Sequence, residues 1–201
     1  MENLNVYLAG VGGQGIGLLT EVIMRAADHA GLKVKGVDTH GLAQRGGVVI
    51  SQLRIGDKVF SPLIPQGEAD VVIALERHEA LRAMNGFLKD GGTLVYYNTV
   101  WQPLEVRLNK TPEVTEVTIS DECRRRRIKE VKAFKQGLKD SRMQNTVVLA
   151  ALDRHRIIPG IKTDQYLRAM GDLMEGHKLE SNIEIFTNNG KFHPNSKGPG
   201  R

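Results

Sequence analysis

Residues 4–17 read Leu-Asn-Val-Tyr-Leu-Ala-Gly-Val-Gly-Gly-Gln-Gly-Ile-Gly, and their order decides the fold. The first six are β-prone and followed at once by glycine, which suits a buried strand. Past the glycines, Leu19, Val22, Ile23, Ala26, Ala27 and Ala30 recur at three- and four-residue spacing. That spacing puts them on one face of a helix, which Gly31 ends. Lys33 to Asp38 then reads as a second strand, completing a βαβ unit with a right-handed crossover. Gly10-Val-Gly12-Gly13-Gln14-Gly15 fits the pattern G-x-G-x-x-G, and Asp38 closes the next strand 23 residues beyond Gly15. Glycines allow a tight turn and close ligand approach, while free N–H groups at a helix start favour phosphate. NAD, FAD or another phosphate-bearing ligand fits these residues, with Asp38 as ribose acceptor. So does tight helix–sheet packing, or the approach of a partner's backbone, with no nucleotide at all.

Outward from this opening, Thr39 to Gly47 is a polar, glycine-bounded loop where a plain repeat would place a helix. Val48 to Ile55 alternates as a strand, Gly56-Asp57 supplies turn chemistry, and Lys58 to Phe60 returns as a short antiparallel partner. Ala69 to Leu75 is a strand, Arg77 to Leu88 a helix, and Thr93 to Asn98 a strand after Gly91-Gly92. Val114 to Ile119 reads as a further strand, and Ser120 as the cap of a helix running toward Phe134. Thr146 to Leu152 and Gln165 to Met174 read as helices. The pattern predicts an α/β, three-layer Rossmann-like domain, its sheet mostly parallel with one antiparallel hairpin. Residues 1–187 form that single domain, and 188–201 a flexible tail.

Composition narrows the class. The 201 residues carry 28 Lys+Arg against 23 Asp+Glu, and one cysteine, which excludes an intrachain disulfide or a cysteine-ligated cluster within the chain. No metal ligands are assigned. No run approaches the ~20 apolar residues that cross a bilayer, and the opening residues lack the pattern of a signal peptide. A soluble, cytoplasmic protein is expected, without membrane contact. Aromatics are 5% of the chain and do not interleave with its basic residues, so nucleic acid is not indicated. The unusual count is 22 glycines, roughly 11% against a typical ~7%.

The second glycine cluster, His40-Gly-Leu-Ala-Gln44-Arg45-Gly46-Gly47, follows the second strand at the end where parallel α/β sheets place ligands. Arg45 has a planar fork suited to carboxylate or phosphate, and Gly46-Gly47 expose backbone N–H groups as an anion nest. His40 titrates near neutral pH, but a solvated loop histidine is the simpler reading. For Arg45, a structural ion pair is the alternative. Arg124 to Arg127 with Lys129, Lys132, Lys135 and Lys139 form a basic run. Four successive arginines cannot share one helix face, so most of that run is solvated. Docking of an acidic electron carrier, attraction of phosphates and contact with a catalytic subunit are the sharper readings. Cys123 is read as inert, and Trp101, before Gln102-Pro103, as an interface anchor.

Three ordered stretches carry a resemblance: Gly10 to Ile16, His40 to Gly47, and Ser61-Pro-Leu-Ile-Pro65 with Gly67-Glu-Ala-Asp70. They resemble the gamma-type subunit of 2-oxoacid:ferredoxin oxidoreductases, most of all the beta subunit of the indolepyruvate type. The likeness thins over 101–140 and returns at Gln144-Asn145 to Leu152. It implies an oxidoreductase subunit that holds neither cluster nor thiamine site and is inactive alone. Thiamine diphosphate, Mg and [4Fe-4S] clusters belong to a large partner subunit, and ferredoxin accepts the electrons. Coenzyme A is the co-substrate at the interface. On this reading Gly10, Gly12, Gly13, Gln14 and Gly15, with His40, Gln44, Arg45, Gly46 and Gly47, shape the coenzyme A side of the site and the subunit interface. No residue is assigned as acid, base or nucleophile.

Overall fold

The computed structural model describes residues 3–39, 47–101 and 112–188. β1 (Leu4–Val11) leads through the glycine turn into α1 (Ile16–His29), then β2 (Val34–Thr39), β3 (Val48–Ile55), β4 (Ala69–Ala74), α2 (Arg77–Phe87) and β5 (Leu88–Tyr97). α3 (Glu116–Arg125), β6 (Lys129–Ala133), α4 (Gln144–Arg154), α5 (Thr163–Leu173) and α6 (Gly176–Asn188) complete the order, with a 3-10 turn at Ser141–Met143 before α4.

The sheet runs β2-β3-β1-β4-β5-β6. β1, β4, β5 and β6 pair in parallel, while β3 is antiparallel to both of its neighbours. Five of the six strands therefore point the same way, and β3 is the antiparallel excursion. Its register pairs Val11 with Val48 and Leu4 with Ile55 on the β1 side, and Val34 with Ile55 on the β2 side.

Alternation along β1 sorts the two cores. Val6 and Leu8 face the layer of α1, α4, α5 and α6, joined by Leu53, Ile55, Ile73 and Val95. Tyr7 and Ala9 face α2 and α3, with Val72, Ala74, Leu94, Tyr96, Met84 and Ile119. Side chains two residues apart share a sheet face, so a buried strand sends apolar groups both ways and needs helices on both sides. Tyr7 stacks on Phe87 with ring centroids 4.0 Å apart.

Three expectations are corrected. First, Lys58 to Phe60 is not the hairpin partner of β3, because β1 and β2 occupy both edges of that strand; Phe60 is left 90% exposed. Second, β2 does not lie beside β1, since β3 is inserted between them. Third, the region 114–134 has the opposite order, helix and then strand. Thr115 caps α3 by accepting from Thr118 N at 3.2 Å, and Ile119 and Cys123 sit on the buried face at helical spacing. The helix closes at Arg127, whose φ of 55° is left-handed. Ile128 N donates to Cys123 O at 2.8 Å, which settles one of the last helical carbonyls. Val131 and Ala133 then bury at a spacing of two, as an edge strand whose Lys129 and Lys132 stay exposed.

Candidate functional site

The glycine turn joins the C-terminal end of β1 to the start of α1, at the edge where a parallel sheet receives ligands. Gln14 is its keystone. The side chain is 1% exposed; Oε1 accepts from Val11 N at 2.8 Å, and Nε2 donates to Leu75 O at 3.2 Å, just past the end of β4. Gln14 therefore shapes the turn from within and has both amide ends engaged. Gly10 is required by close approach, since a Cβ there would lie 2.9 Å from the Ile16 side chain.

Gly15 is the N-cap of α1, at φ 84°, a left-handed conformation costly for a residue with a Cβ. Its carbonyl accepts from Asn145 Nδ2 at 2.9 Å, and an added Cβ would fall 2.7 Å from the same nitrogen. The start of α4 is thereby locked against the start of α1. Neither helix has a side-chain cap hydrogen bond or an acidic residue in its first turn. α2 and α3 do: Glu76 and Thr115 cap them, with Glu79 and Glu116 in the first turns.

Gly12 N donates to Gly47 O at 2.8 Å, so the exit of the second glycine segment lies on the first. Of the residues singled out by sequence, Gly10, Gly12, Gly13, Gln14, Gly15 and Gly47 are thus brought together. His40, Gln44, Arg45 and Gly46 lie outside the described residues. Asp38 does not join the constellation in the manner of a dinucleotide fold. β3 stands between its strand and β1, moving β2 one strand spacing, ~4.8 Å, outward.

Beside the turn, at the start of α2, is a buried polar network. Glu76 accepts from His78 N at 3.0 Å and from Glu79 N, and lies 3.2 Å from His78 Nδ1. Val114 N donates to His78 Nε2 at 3.2 Å, which leaves the ring proton on Nδ1, facing Glu76. Trp101, 41% exposed, has its backbone N 3.5 Å from Glu76 Oε2. Burial pushes the Glu79 carboxyl up to about 7, against the opposing pull of its Arg82 partner. Arg77 reaches Glu113 at 2.9 Å.

Elsewhere the candidate groups are occupied. Burial pushes the Cys123 thiol up to about 12, and its Sγ lies 3.6 Å from Met84 Sδ, an inert setting. Arg124 and Arg125 pair with Asp121 and Glu122 along α3, while Arg126 donates to Met84 O at 2.6 Å, to Leu88 O, and to Asp90 at 2.7 Å. Much of the basic run is therefore structural. Among the described residues, no group of three or more His, Cys, Asp or Glu is placed to hold a metal ion. No helix among them is long and apolar enough to cross a membrane.

Gln144 and Asn145 open the stretch at which the resemblance returns, but no site role is read from them in the sequence; Asn145 joins the turn through Gly15. Both are 3% exposed, and each carries a buried side-chain atom with no hydrogen-bond partner among the described residues, Gln144 Nε2 and Asn145 Oδ1. The available signal was two amides opening an otherwise apolar run, after the Asp140-capped 3-10 turn that leads into α4.

Comparison with known proteins places this geometry in context. The family model described as pyruvate ferredoxin/flavodoxin oxidoreductase matches residues 5–189. The indolepyruvate oxidoreductase subunit IorB of Archaeoglobus fulgidus is 54% identical over 96 residues, 48% of this chain and 46% of that protein. The match thus spans about half the length of that relative. The subunit of the same name from Methanothermobacter thermautotrophicus is 30% identical over 188 residues, covering 92% of this chain and 94% of that one. Among solved structures, the gamma subunit of a keto/oxoacid ferredoxin oxidoreductase from Geobacter sulfurreducens superposes with a TM-score of 0.62 at 18% identity, over 92% of this chain and 95% of that one. A 2-oxoglutarate:ferredoxin oxidoreductase from Magnetococcus marinus, with 2-oxoglutarate, coenzyme A and succinyl-CoA bound, gives 0.64 at 22% identity, over 94% of this chain and 31% of that one. These two share the fold of this chain.

Proposed function

The chain belongs to the pyruvate ferredoxin/flavodoxin oxidoreductase family, and we propose that it is the non-cluster subunit of a thiamine-dependent 2-oxoacid:ferredoxin oxidoreductase. The substrate class is indolepyruvate or another aryl pyruvate, in keeping with the names of its relatives. The assembled enzyme converts the 2-oxoacid and coenzyme A to acyl-CoA and carbon dioxide, and two electrons leave singly for ferredoxin. Thiamine diphosphate with Mg and the [4Fe-4S] clusters sit on a large partner subunit and supply the decarboxylation and electron transfer. This chain shapes the coenzyme A side of the site and the interface. A chain with one, buried, cysteine has no ligand set for a cluster of its own.

The observation that carries this reading is the junction at the sheet's C-terminal edge. Gly12 N is engaged by Gly47 O and both amide ends of Gln14 are turned inward. A dinucleotide cradle would instead leave the turn's backbone donors free for a pyrophosphate and keep β2 beside β1. The turn here is a built platform with its open side at Gly13, suited to a partner surface and a co-substrate arm.

Reconstitution tests the proposal. Acyl-CoA formation by the large subunit should require this chain, and the chain alone should have none. Failure of the two to bind, or full activity of the large subunit alone, would reject it. The competing reading, a free-standing NAD- or FAD-binding protein, requires saturable binding of NAD, NADP or FAD to the lone chain, lost for NAD in Asp38→Ala.

A further inference from the structure

Three helices, α1, α3 and α4, end at the edge of the sheet opposite the glycine turn, and all three close in the same way. After α1, Gly31 has φ 71° and Leu32 N donates to Ala27 O at 2.9 Å. After α3, Arg127 has φ 55° and Ile128 N donates to Cys123 O at 2.8 Å. After α4, Arg156 has φ 50° and Ile157 N donates to Leu152 O at 3.0 Å. The left-handed position after a helix cap favours glycine, because a Cβ there is strained. The chain takes glycine after α1 and arginine after the other two, and these are the only non-glycine residues of positive φ among the described residues. The helix dipole does not account for them, since Arg124, Arg125 and Arg154 already stand in the last turns.

We propose that this edge is a docking surface for a protein that presents clustered carboxylates, with Arg127 and Arg156 as its anchors. The two arginines flank the start of β6, one from each helical layer. Between them lie Lys129, Arg154 and His155, all exposed; burial, and then the charges of Lys129 and Arg154, lower the His155 pKa. The acids at this end are engaged: Asp153 with Arg156 at 3.1 Å, Asp90 with Arg126, and Asp121 and Glu122 with Arg124 and Arg125. The residues outside the described ones carry two acidic side chains, Glu2 and Glu105, so the cations remain in excess. Strain kept at two equivalent positions, in the residue type with a planar and permanently charged fork, suits bidentate contact with carboxylates. The chain's own acids interleave with these cations, so a nucleic-acid backbone, with one charge per ~1.7 Å, would meet them. No aromatic residue stands among them as a platform for bases. The surface lies ~26 Å from the glycine turn, the length of the eight-residue β1, so occupancy of one leaves the other open.

The test titrates the full-length chain with a poly-L-glutamate peptide, a short DNA duplex and phosphatidylserine vesicles at low and physiological salt. It compares the wild type, an Arg127→Gly/Arg156→Gly double variant, and an Arg25→Gln/Arg168→Gln control that removes the same charge from α1 and α5. Poly-L-glutamate binding should weaken about tenfold in the double variant and about twofold or less in the control. The double variant should also melt at a higher temperature than the wild type, because glycine relieves both left-handed positions. Equal weakening in the double variant and the control overturns the inference by showing an effect of net charge alone. A lower melting temperature overturns it by showing that the arginines serve the fold. Tighter binding of DNA or vesicles than of poly-L-glutamate overturns it in favour of a phosphate-bearing partner, and absence of poly-L-glutamate binding at low salt overturns it outright.

Discussion

Gly15 and Gly13 separate two reasons for glycine at one turn. Both have positive φ, 84° and 98°, yet only Gly15 faces a neighbour, the Asn145 amide. Gly13→Ala is expected to cost about 1 kcal/mol from backbone strain alone. Gly15→Ala should cost roughly twice that or more, since it also displaces Asn145 from its hydrogen bond. Urea unfolding of the two variants measures the difference, and equal losses would show that Asn145 yields freely. Glu79 gives a test in pH. Burial pushes its carboxyl up to about 7 in the fold, from an ordinary value of 4.5. A raised acid pKa means that the folded chain favours the protonated form, so its contribution is complete below about 4.5 and is lost as pH rises through 7. Between those values the wild-type chain should lose on the order of 2 kcal/mol relative to Glu79→Gln, read by denaturation at each pH. At this scale the glycine positions were legible in the sequence, because the motif reports where backbone freedom is needed. That Gln14 turns inward was not, because both partners of its amide depend on the strand ends meeting.

α3 and β6 show how an element is misread. The run Arg124 to Arg127 hides a helix end, and Lys-Glu-Val-Lys-Ala over 129–133 lacks the β-branched richness that marks a strand. Two local devices set the boundaries: the Thr115 cap and the left-handed Arg127. Thr115→Ala should destabilise the chain by about 1 kcal/mol. Arg127→Gly should stabilise it by about 0.5 to 1 kcal/mol, because glycine adopts φ 55° without the Cβ penalty and Arg127 has no ion pair among the described residues. Thermal melts of the two variants check these opposite signs. α1, α2, α4 and α5 were legible, because each carries apolar residues at helical spacing over three turns or so. β6 was not, since an edge strand held between β5 and solvent buries only Val131 and Ala133 fully.

For the whole molecule, strand order matters most. Inserting β3 between β1 and β2 keeps helical layers on both faces of the sheet while removing the neighbour that a dinucleotide's ribose would use. The lone chain is accordingly expected to show no saturable binding of NAD by calorimetry, and saturation abolished in Asp38→Ala would contradict that. The sequence by itself determined the class of fold, the glycine turn and its place after β1, because periodicity and glycine placement are local properties of the chain. The tertiary structure alone decided which strand lies beside β1, that Gly47 closes on Gly12, and that Asn145 meets Gly15 across 130 residues of sequence. Those contacts are made by backbone groups and amides with no periodic pattern, and their partners are chosen only when the sheet and its two helical layers pack.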